Sequence, residues 1–280
     1  MREVRAAKTS EAATFAACLA TILELPLAAV PEPPPGEEVA GWRVSRWLGG
    51  LGLGLVPVAH PTAFAWPGPW IACGRSPEAR ERCAVVMYGV PSGIVFDPSG
   101  AASAAGWAPE QGFVIAANDI ALARPPAGAA PVTVGRVEAI FVAASAGTPS
   151  RSLDAVQAIA GQGLESDRHV DGRGTFPSGL PGSALTLIED EVCSSFWPPL
   201  TGDEHRRNLV TTGIDLNALV GHDFAIGDVR CRGMRLCEPC TVVDGYARRP
   251  VLRPLVHRGG LRADIIDDGT IRVGDAIRAL

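Results

Sequence analysis

The sequence predicts an α/β chain, more closely α+β, built from two domains, and three observations carry that prediction. Residues 11–25 place Phe15, Leu19, Ile22 and Leu23 at helical spacing, so a helix opens the first domain. The stretch 121–131 is rich in Ala, Pro and Gly without periodicity and reads as a linker between domains at about 1–125 and 131–280. Beyond it, short strand-like runs recur between glycine-containing turns, the pattern of a β-barrel or sandwich with a few helices.

In the first domain Ser10 is the expected N-cap of the opening helix, and Pro26 stops it. Residues 31–35 form a proline-rich loop, and 42–48 predict a second helix ended by Gly49 and Gly50. Strands are expected at 53–58, 83–88 and 93–96. In the second domain 132–144 predicts a long strand and 152–160 a helix ended by Gly161. Further strands are expected at 184–188, 208–212, 224–231, 262–266 and 271–276.

Composition narrows the function classes. Hydrophobic residues are 47% of the 280, enough for two cores, and the net charge of −5 argues against a general nucleic-acid or membrane-surface binder. No signal peptide and no run of about 20 apolar residues is seen, so the expectation is a cytoplasmic protein. Seven cysteines, an odd number in a chain of this length, fit reduced thiols better than a disulfide framework.

The chemistry concentrates in the second domain. Leu236-Cys237-Glu238-Pro239-Cys240 is a C-x-x-C, which serves half a zinc site, a redox pair, a soft-metal thiolate, or simply two buried small side chains. Between His205 and Arg262 stand ten arginines against five acids, an excess of five positive charges in an acidic chain. Arginine makes bidentate contacts to phosphate, and a thiol among such charges is expected to have a lowered pKa. A thiolate ringed by arginine suits a phosphate-bearing ligand that carries a soft metal.

Several runs in this domain resemble the MOSC family, named for the C-terminal domain of molybdenum cofactor sulfurases. They are Gly161-Gln162-Gly163-Leu164-Glu165-Ser166-Asp167-Arg168, Thr186-Leu187-Ile188-Glu189, and Arg206-Arg207-Asn208-Leu209-Val210. Gly213-Ile214-Asp215-Leu216, Leu219-Val220-Gly221, Phe224-Ala225-Ile226-Gly227 and the C-x-x-C follow. His257-Arg258-Gly259-Gly260-Leu261-Arg262 and Gly269-Thr270-Ile271-Arg272-Val273-Gly274-Asp275 complete the order, which covers about 131–280. Ser166 stands where relatives usually have Gly, and His169 where many have an aromatic residue.

The resemblance implies a β-barrel-like fold with flanking helices that binds the molybdenum cofactor. It implies Cys240 as metal ligand and catalytic residue. Arg206, Arg207 and Asn208 are implied as contacts to the pterin and its phosphate, with Cys237, Arg168 and Arg258 as further cofactor-binding candidates. The implied activity is oxidoreduction of N-oxygenated small molecules or sulfur carriage in cofactor metabolism, and the alternative is a non-catalytic interaction module with structural or zinc-bound cysteines. No haem, flavin or iron–sulfur motif is seen, so an electron-donor or sulfur-donor protein is the expected partner. Pyridoxal phosphate is not expected, because its Schiff base needs a lysine and Lys8 lies outside this domain.

Residues 10–120 resemble, more faintly, papain-like cysteine peptidase domains of the bacteriocin-processing kind. The run 14–26 is similar to their opening helix, Arg82-Cys83-Ala84-Val85-Val86 to their histidine strand, and Phe96-Asp97-Pro98 to a following Asp-Pro. Thr14 takes the nucleophile position and Cys83 the base position, so an inactive scaffold is implied, with Cys18 in the core, Asp97 in a turn, and His60 in a proline-flanked loop.

Overall fold

The computed structural model describes residues 3–6, 8–34, 39, 41–75, 82–102, 106–117, 134–176 and 180–280. The chain divides into two compact units, Met1–Ala117 and Asn118–Leu280. The expected linker at 121–131 lies outside the described residues. Among the described residues no helix is long and apolar enough to cross a membrane.

The first unit comprises α1 (Glu11–Leu23), α2 (Trp42–Gly50), β1 (Leu53–Pro57), β2 (Trp66–Arg75), β3 (Arg82–Gly89), β4 (Gly93–Phe96) and β5 (Gln111–Ala117). Ser10 caps α1 by accepting the Ala13 N–H at 3.3 Å, and Glu24 ends the helix in the left-handed region. The five strands form an antiparallel sheet in the order β1-β5-β2-β3-β4. Phe15, Cys18 and Leu19 of α1 pack on Ile71, Cys73, Ala84 and Val86 of that sheet. The sequence reading missed β2 and β5. In β2 three tryptophan and proline positions precede the apolar core stretch, and in β5 Gly112 and the small Ala116 and Ala117 dilute the β-branched signal.

Side-chain alternation separates the two positions likened to a peptidase pair. Arg82 donates to Glu11 at 2.9 Å, and Ala84 and Val86 pack against α1, so these three share one face of β3. Cys83 lies on the other face, opposite Gly74, where the Trp107 ring covers the sheet. The Thr14 hydroxyl instead accepts the Ala84 N–H at 2.9 Å and donates to the Ser10 carbonyl at 3.0 Å. Thr14 and Cys83 therefore form no nucleophile–base pair. Burial pushes both the Cys18 and Cys83 thiols up. Asp97 accepts the N–H groups of Ser99, Gly100 and Ala102, the work of a turn residue, and His60 is exposed.

The second unit begins with β6 (Val134–Val142), β7 (Arg151–Leu153), β8 (Ala155–Ile159), β9 (Gly163–Leu164) and β10 (Leu185–Glu189). The short helices α3 (Asp190–Cys193) and α4 (Gly202–His205) precede β11 (Leu209–Thr212), β12 (Asp223–Ile226) and β13 (Val229–Leu236). Then come α5 (Val243–Ala247), α6 (Leu252–Leu255), β14 (Leu261–Ile265), β15 (Gly269–Arg272) and β16 (Ala276–Ala279). Seven strands close a barrel in the order β11-β10-β14-β13-β12-β16-β6, with β6 returning to pair with β11. Closure leaves no open edge in this ring. Strand β7 extends β6, and β15, β8 and β9 form a small separate sheet.

Three expectations are corrected here. The helix expected over 152–160 is two strands, β7 and β8, parted by Asp154. Within β8, Val156 and Ala158 are buried while Ala155 and Gln157 are exposed, a period of two, and pairing with β15 holds it extended. The run 224–231 is a hairpin of β12 and β13 turning at Gly227 and Asp228, and 271–276 spans the end of β15 and the start of β16.

Candidate functional site

The C-x-x-C follows directly on β13. Residues 237–240 run without a turn or bend, and the Cys240 carbonyl then accepts the Val243 N–H at 3.0 Å where α5 begins. Two clamps hold this segment against residues 257–260. Arg207 donates from Nη2 to the Cys237 carbonyl at 2.8 Å and from Nε to the Gly259 carbonyl at 2.9 Å. Glu238 accepts the His257 N–H at 2.8 Å, and its other oxygen lies 2.6 Å from His257 Nδ1. The Cys237 N–H donates to the Gly260 carbonyl at 2.7 Å.

That geometry separates the alternatives for the two cysteines. Both thiols are free in this structure, Cys237 buried and Cys240 half-buried. Among the described residues no group of three or more His, Cys, Asp or Glu side chains is placed to hold a metal, so a multi-ligand zinc site finds no support there. All seven cysteines are described; six are buried and Cys240 alone is half-buried.

Arg207 and Arg262 reach this thiol with their charge, and both also act on Arg168, as Arg206 does. Arg168 donates to Asp167 at 3.3 Å and to the Arg206 carbonyl at 2.9 Å. Arg206 donates to the Thr148 carbonyl at 2.7 Å and Ser150 Oγ at 3.1 Å, and lies 5.1 Å from the centre of the Tyr246 ring. Arg207 also holds the His205 carbonyl at 2.9 Å. The fourth is Arg262, which the sequence reading counted among the arginines without assigning it to the site. It faces Thr186 in the β10–β14 register, on the barrel face where Ile188 and Val210 meet the helices. The available signal was its place between buried Leu261 and Ala263, which marks an outward position on a barrel strand.

Two candidates sit elsewhere in this arrangement. Asn208 is buried as a strand clamp: Oδ1 accepts the Thr186 N–H at 3.2 Å and hydroxyl at 2.7 Å, while Nδ2 donates to the Phe141 carbonyl at 3.2 Å. Arg258 donates to Ser195 Oγ at 3.2 Å and lies in the field of Glu189. The structure thus joins Arg207 to the cysteine segment and Arg168 to the Arg206 carbonyl, and ties up the polar atoms of Asn208 within the barrel.

Burial pushes the Cys240 thiol up, against the pull of the Val242 N–H, Arg207 and Arg262. The lowering expected from the basic composition is corrected in direction, because desolvation of the sulfur outweighs the nearby charges. Burial and the neighbouring guanidiniums hold His169 and His205 down to about 3, so both rings are neutral at pH 7. His205 Nδ1 accepts the Arg207 N–H at 2.9 Å, which leaves its proton on Nε2.

Burial raises the Glu189 carboxyl to about 7, with Asp215 and Glu191 adding to the shift. Its Oε2 is buried without a hydrogen-bond partner among the described residues, as is Nη1 of Arg258. A carboxyl with a raised folded pKa keeps its proton longer in the folded state. It therefore costs stability as pH rises from about 4.5 to 7, and the cost stays constant above that. Glu189→Gln is expected to be more stable than the parent at pH 8 by about 1–3 kcal/mol. Urea titrations at pH 8 and pH 4 check this: the gap should close at pH 4, and equal stability at both pH values would contradict it.

Residues 183–278 match the MOSC domain family, a match that does not reach the N-terminal unit. No curated protein matches the chain. Similar solved structures include the YUAD protein from Bacillus subtilis, at 18% identity over 52% of this chain and 95% of that one, TM-score 0.44. YiiM from Geobacillus stearothermophilus is 14% identical over 52% and 75%, TM-score 0.39. YiiM from Escherichia coli is 16% identical over 52% and 69%, TM-score 0.38.

Proposed function

We propose that the MOSC domain at residues 183–278 binds the molybdenum cofactor through Cys240 and serves as an oxidoreductase for small N-oxygenated molecules. One observation carries the reading: the one half-buried cysteine lies in the field of Arg207 and Arg262, in a segment that Arg207 holds through the Cys237 carbonyl. The residues fit the group on two counts. A thiolate is a natural ligand for a soft, dithiolene-bound metal. The nearby acids, Asp167 and Asp203, leave the four arginines with net positive charge, which an organic phosphate would balance.

When bound, the group supplies the two-electron redox chemistry, and the chain supplies position and field. Arg207 fixes the cysteine segment through two backbone carbonyls, and Glu238 secures the same segment through His257. Arg168 holds the Arg206 backbone carbonyl at 2.9 Å. Reduction of an N–O group requires an electron-donor protein as partner. A sulfur-carrier role at Cys240 uses the same thiol.

The test is elemental. The full chain is purified from a host that makes the cofactor, and molybdenum, zinc, pterin and sulfane sulfur are measured. About one molybdenum and one pterin per chain with little zinc is the expected result. Stoichiometric zinc without molybdenum would overturn the reading, and sulfane sulfur on the metal-free chain would transfer it to sulfur carriage.

A further inference from the structure

We propose that residues 194–200, with α5 and α6, form a docking face for an acidic partner protein, anchored by Trp197. The inference rests on the reading above only for the role of that protein, which there is the electron donor. Trp197 is 93% exposed, more than any other large hydrophobic residue among those described. A single exposed apolar side chain is ordinary on a surface. This one stands on a backbone that is tied down on both sides. The Phe196 and Leu200 N–H groups donate to the Cys193 carbonyl at 3.4 and 3.0 Å, and Arg258 donates to Ser195 Oγ at 3.2 Å. Arg249 donates to the Pro198 carbonyl and, at 3.3 Å, to the Pro199 carbonyl, and is itself fixed by paired bonds to Glu204 at 3.0 and 3.3 Å. Phe196 and Leu200 join the apolar cluster of Val243, Ala247 and Leu252, while the indole between them is left in water. An aromatic side chain on a pinned loop loses little freedom on binding, which is what an interface anchor requires.

Charge selects the occupant. Arg248 caps α5 next to Arg249, and Arg253 lies in α6 beside Leu252. Both are exposed, and neither guanidinium makes a hydrogen bond or ion pair among the described residues. The acids of the neighbouring elements are each engaged by the chain. Asp190 accepts the Ser194 hydroxyl at 3.2 Å, Glu191 the Gly213 N–H at 2.8 Å, and Asp203 the Ser150 N–H at 2.5 Å. Glu204 pairs with Arg249, and Asp244 accepts the Val251 and Leu252 N–H groups at 2.7 Å each. The charges left over are therefore both positive, and they match an acidic rim around an apolar pocket that takes the indole. A second copy on the same face would set these arginines against themselves across a two-fold axis. The face also adjoins the cysteine segment, because the Cys240 carbonyl accepts the Val243 N–H where α5 begins. The five residues of α5 rise about 7 Å, so a protein seated there stands one short helix from the thiol.

Binding of two purified acidic one-electron carriers, a flavodoxin and a two-iron ferredoxin, to the metal-free full chain tests this without the cofactor. Each carrier is dye-labelled and titrated by fluorescence anisotropy at low and at raised ionic strength. The parent is expected to bind at least one of them, more weakly as salt rises. Trp197→Ala should weaken that binding about ten-fold or more and melt with the parent, since the side chain it removes is exposed. Trp197→Phe should keep part of the affinity. Arg248→Glu and Arg253→Glu should each weaken binding about five-fold at low salt and flatten its salt dependence. Arg278→Glu makes the same charge change at an exposed position of β16, between β12 and β6, and should leave binding within about two-fold of the parent. A parent that binds neither carrier, or a Trp197→Ala variant that binds as the parent does, would overturn the docking face. So would a parent dimer that Trp197→Ala dissolves, since the occupant would then be a second copy. Binding that depends on Trp197 in a chain that never holds molybdenum would keep the face and remove the cofactor reading instead.

Discussion

Cys240→Ala is expected to leave the purified chain without molybdenum, while Cys237→Ala retains it. Alanine removes the one sulfur at the site with access to a ligand, and no second soft donor stands ready. Cys237 is buried, and moving it into the vacated place would break the Arg207 and Gly260 hydrogen bonds. What Cys237 contributes is its backbone: the carbonyl held by Arg207 and the N–H held by Gly260 both survive in Cys237→Ala. That variant is expected to lose stability by about 1–2 kcal/mol through a small cavity, and little metal. Cys240→Ala, only half-buried, should melt close to the parent. Metal analysis beside a melting curve separates the outcomes, and molybdenum still bound in well-folded Cys240→Ala would strip this sulfur of its assigned role.

These two residues show how much of the site was legible in sequence. The C-x-x-C and the arginine excess are visible as residue types at a spacing. Whether a side chain is free to meet a ligand is a matter of partners, which spacing does not reveal. Asn208 looks like a ligand contact beside Arg207, yet its amide is spent on Thr186 and Phe141. Arg262 looks like one charge among ten, and only strand register places it opposite Arg235 and on the face with the helices. The thiol's raised pKa is likewise a consequence of burial, to which composition is blind.

The fold divides along the same line. Helix α1 was readable because cap, apolar spacing and the stopping proline agree locally. Strand β8 was not, because Ala155, Gln157 and Ala158 are good helix formers and their extended state is imposed by β15, more than a hundred residues away. The barrel's closure is a pairing of β6 with β11, which no local pattern encodes.

Gly260→Ala is expected to be the most destabilising single methyl in the second unit. Gly260 has φ +93, and a Cβ there would lie 1.8 Å from the Leu187 carbonyl oxygen, 2.8 Å from its carbon and 2.9 Å from Ile188 Cα. Those atoms are backbone of β10, paired on both sides within the closed ring, so they cannot yield as a flexible side chain would. Strain from the left-handed backbone costs roughly 1–2 kcal/mol, and overpacking against an unyielding wall adds about 1–3 kcal/mol. A total loss of about 2–5 kcal/mol should lower the melting temperature of a unit this size by roughly 5–20 °C. Gly147→Ala supplies the reference, since Gly147 has φ +79 but nothing within 4 Å of an added Cβ. It carries the backbone strain without the collision. The difference between the two variants measures how closely the turn that ends in Gly260, and with it the Cys237–Cys240 segment, is pressed onto the barrel wall. If Gly260→Ala melted no lower than Gly147→Ala, that close approach would not be what positions the site.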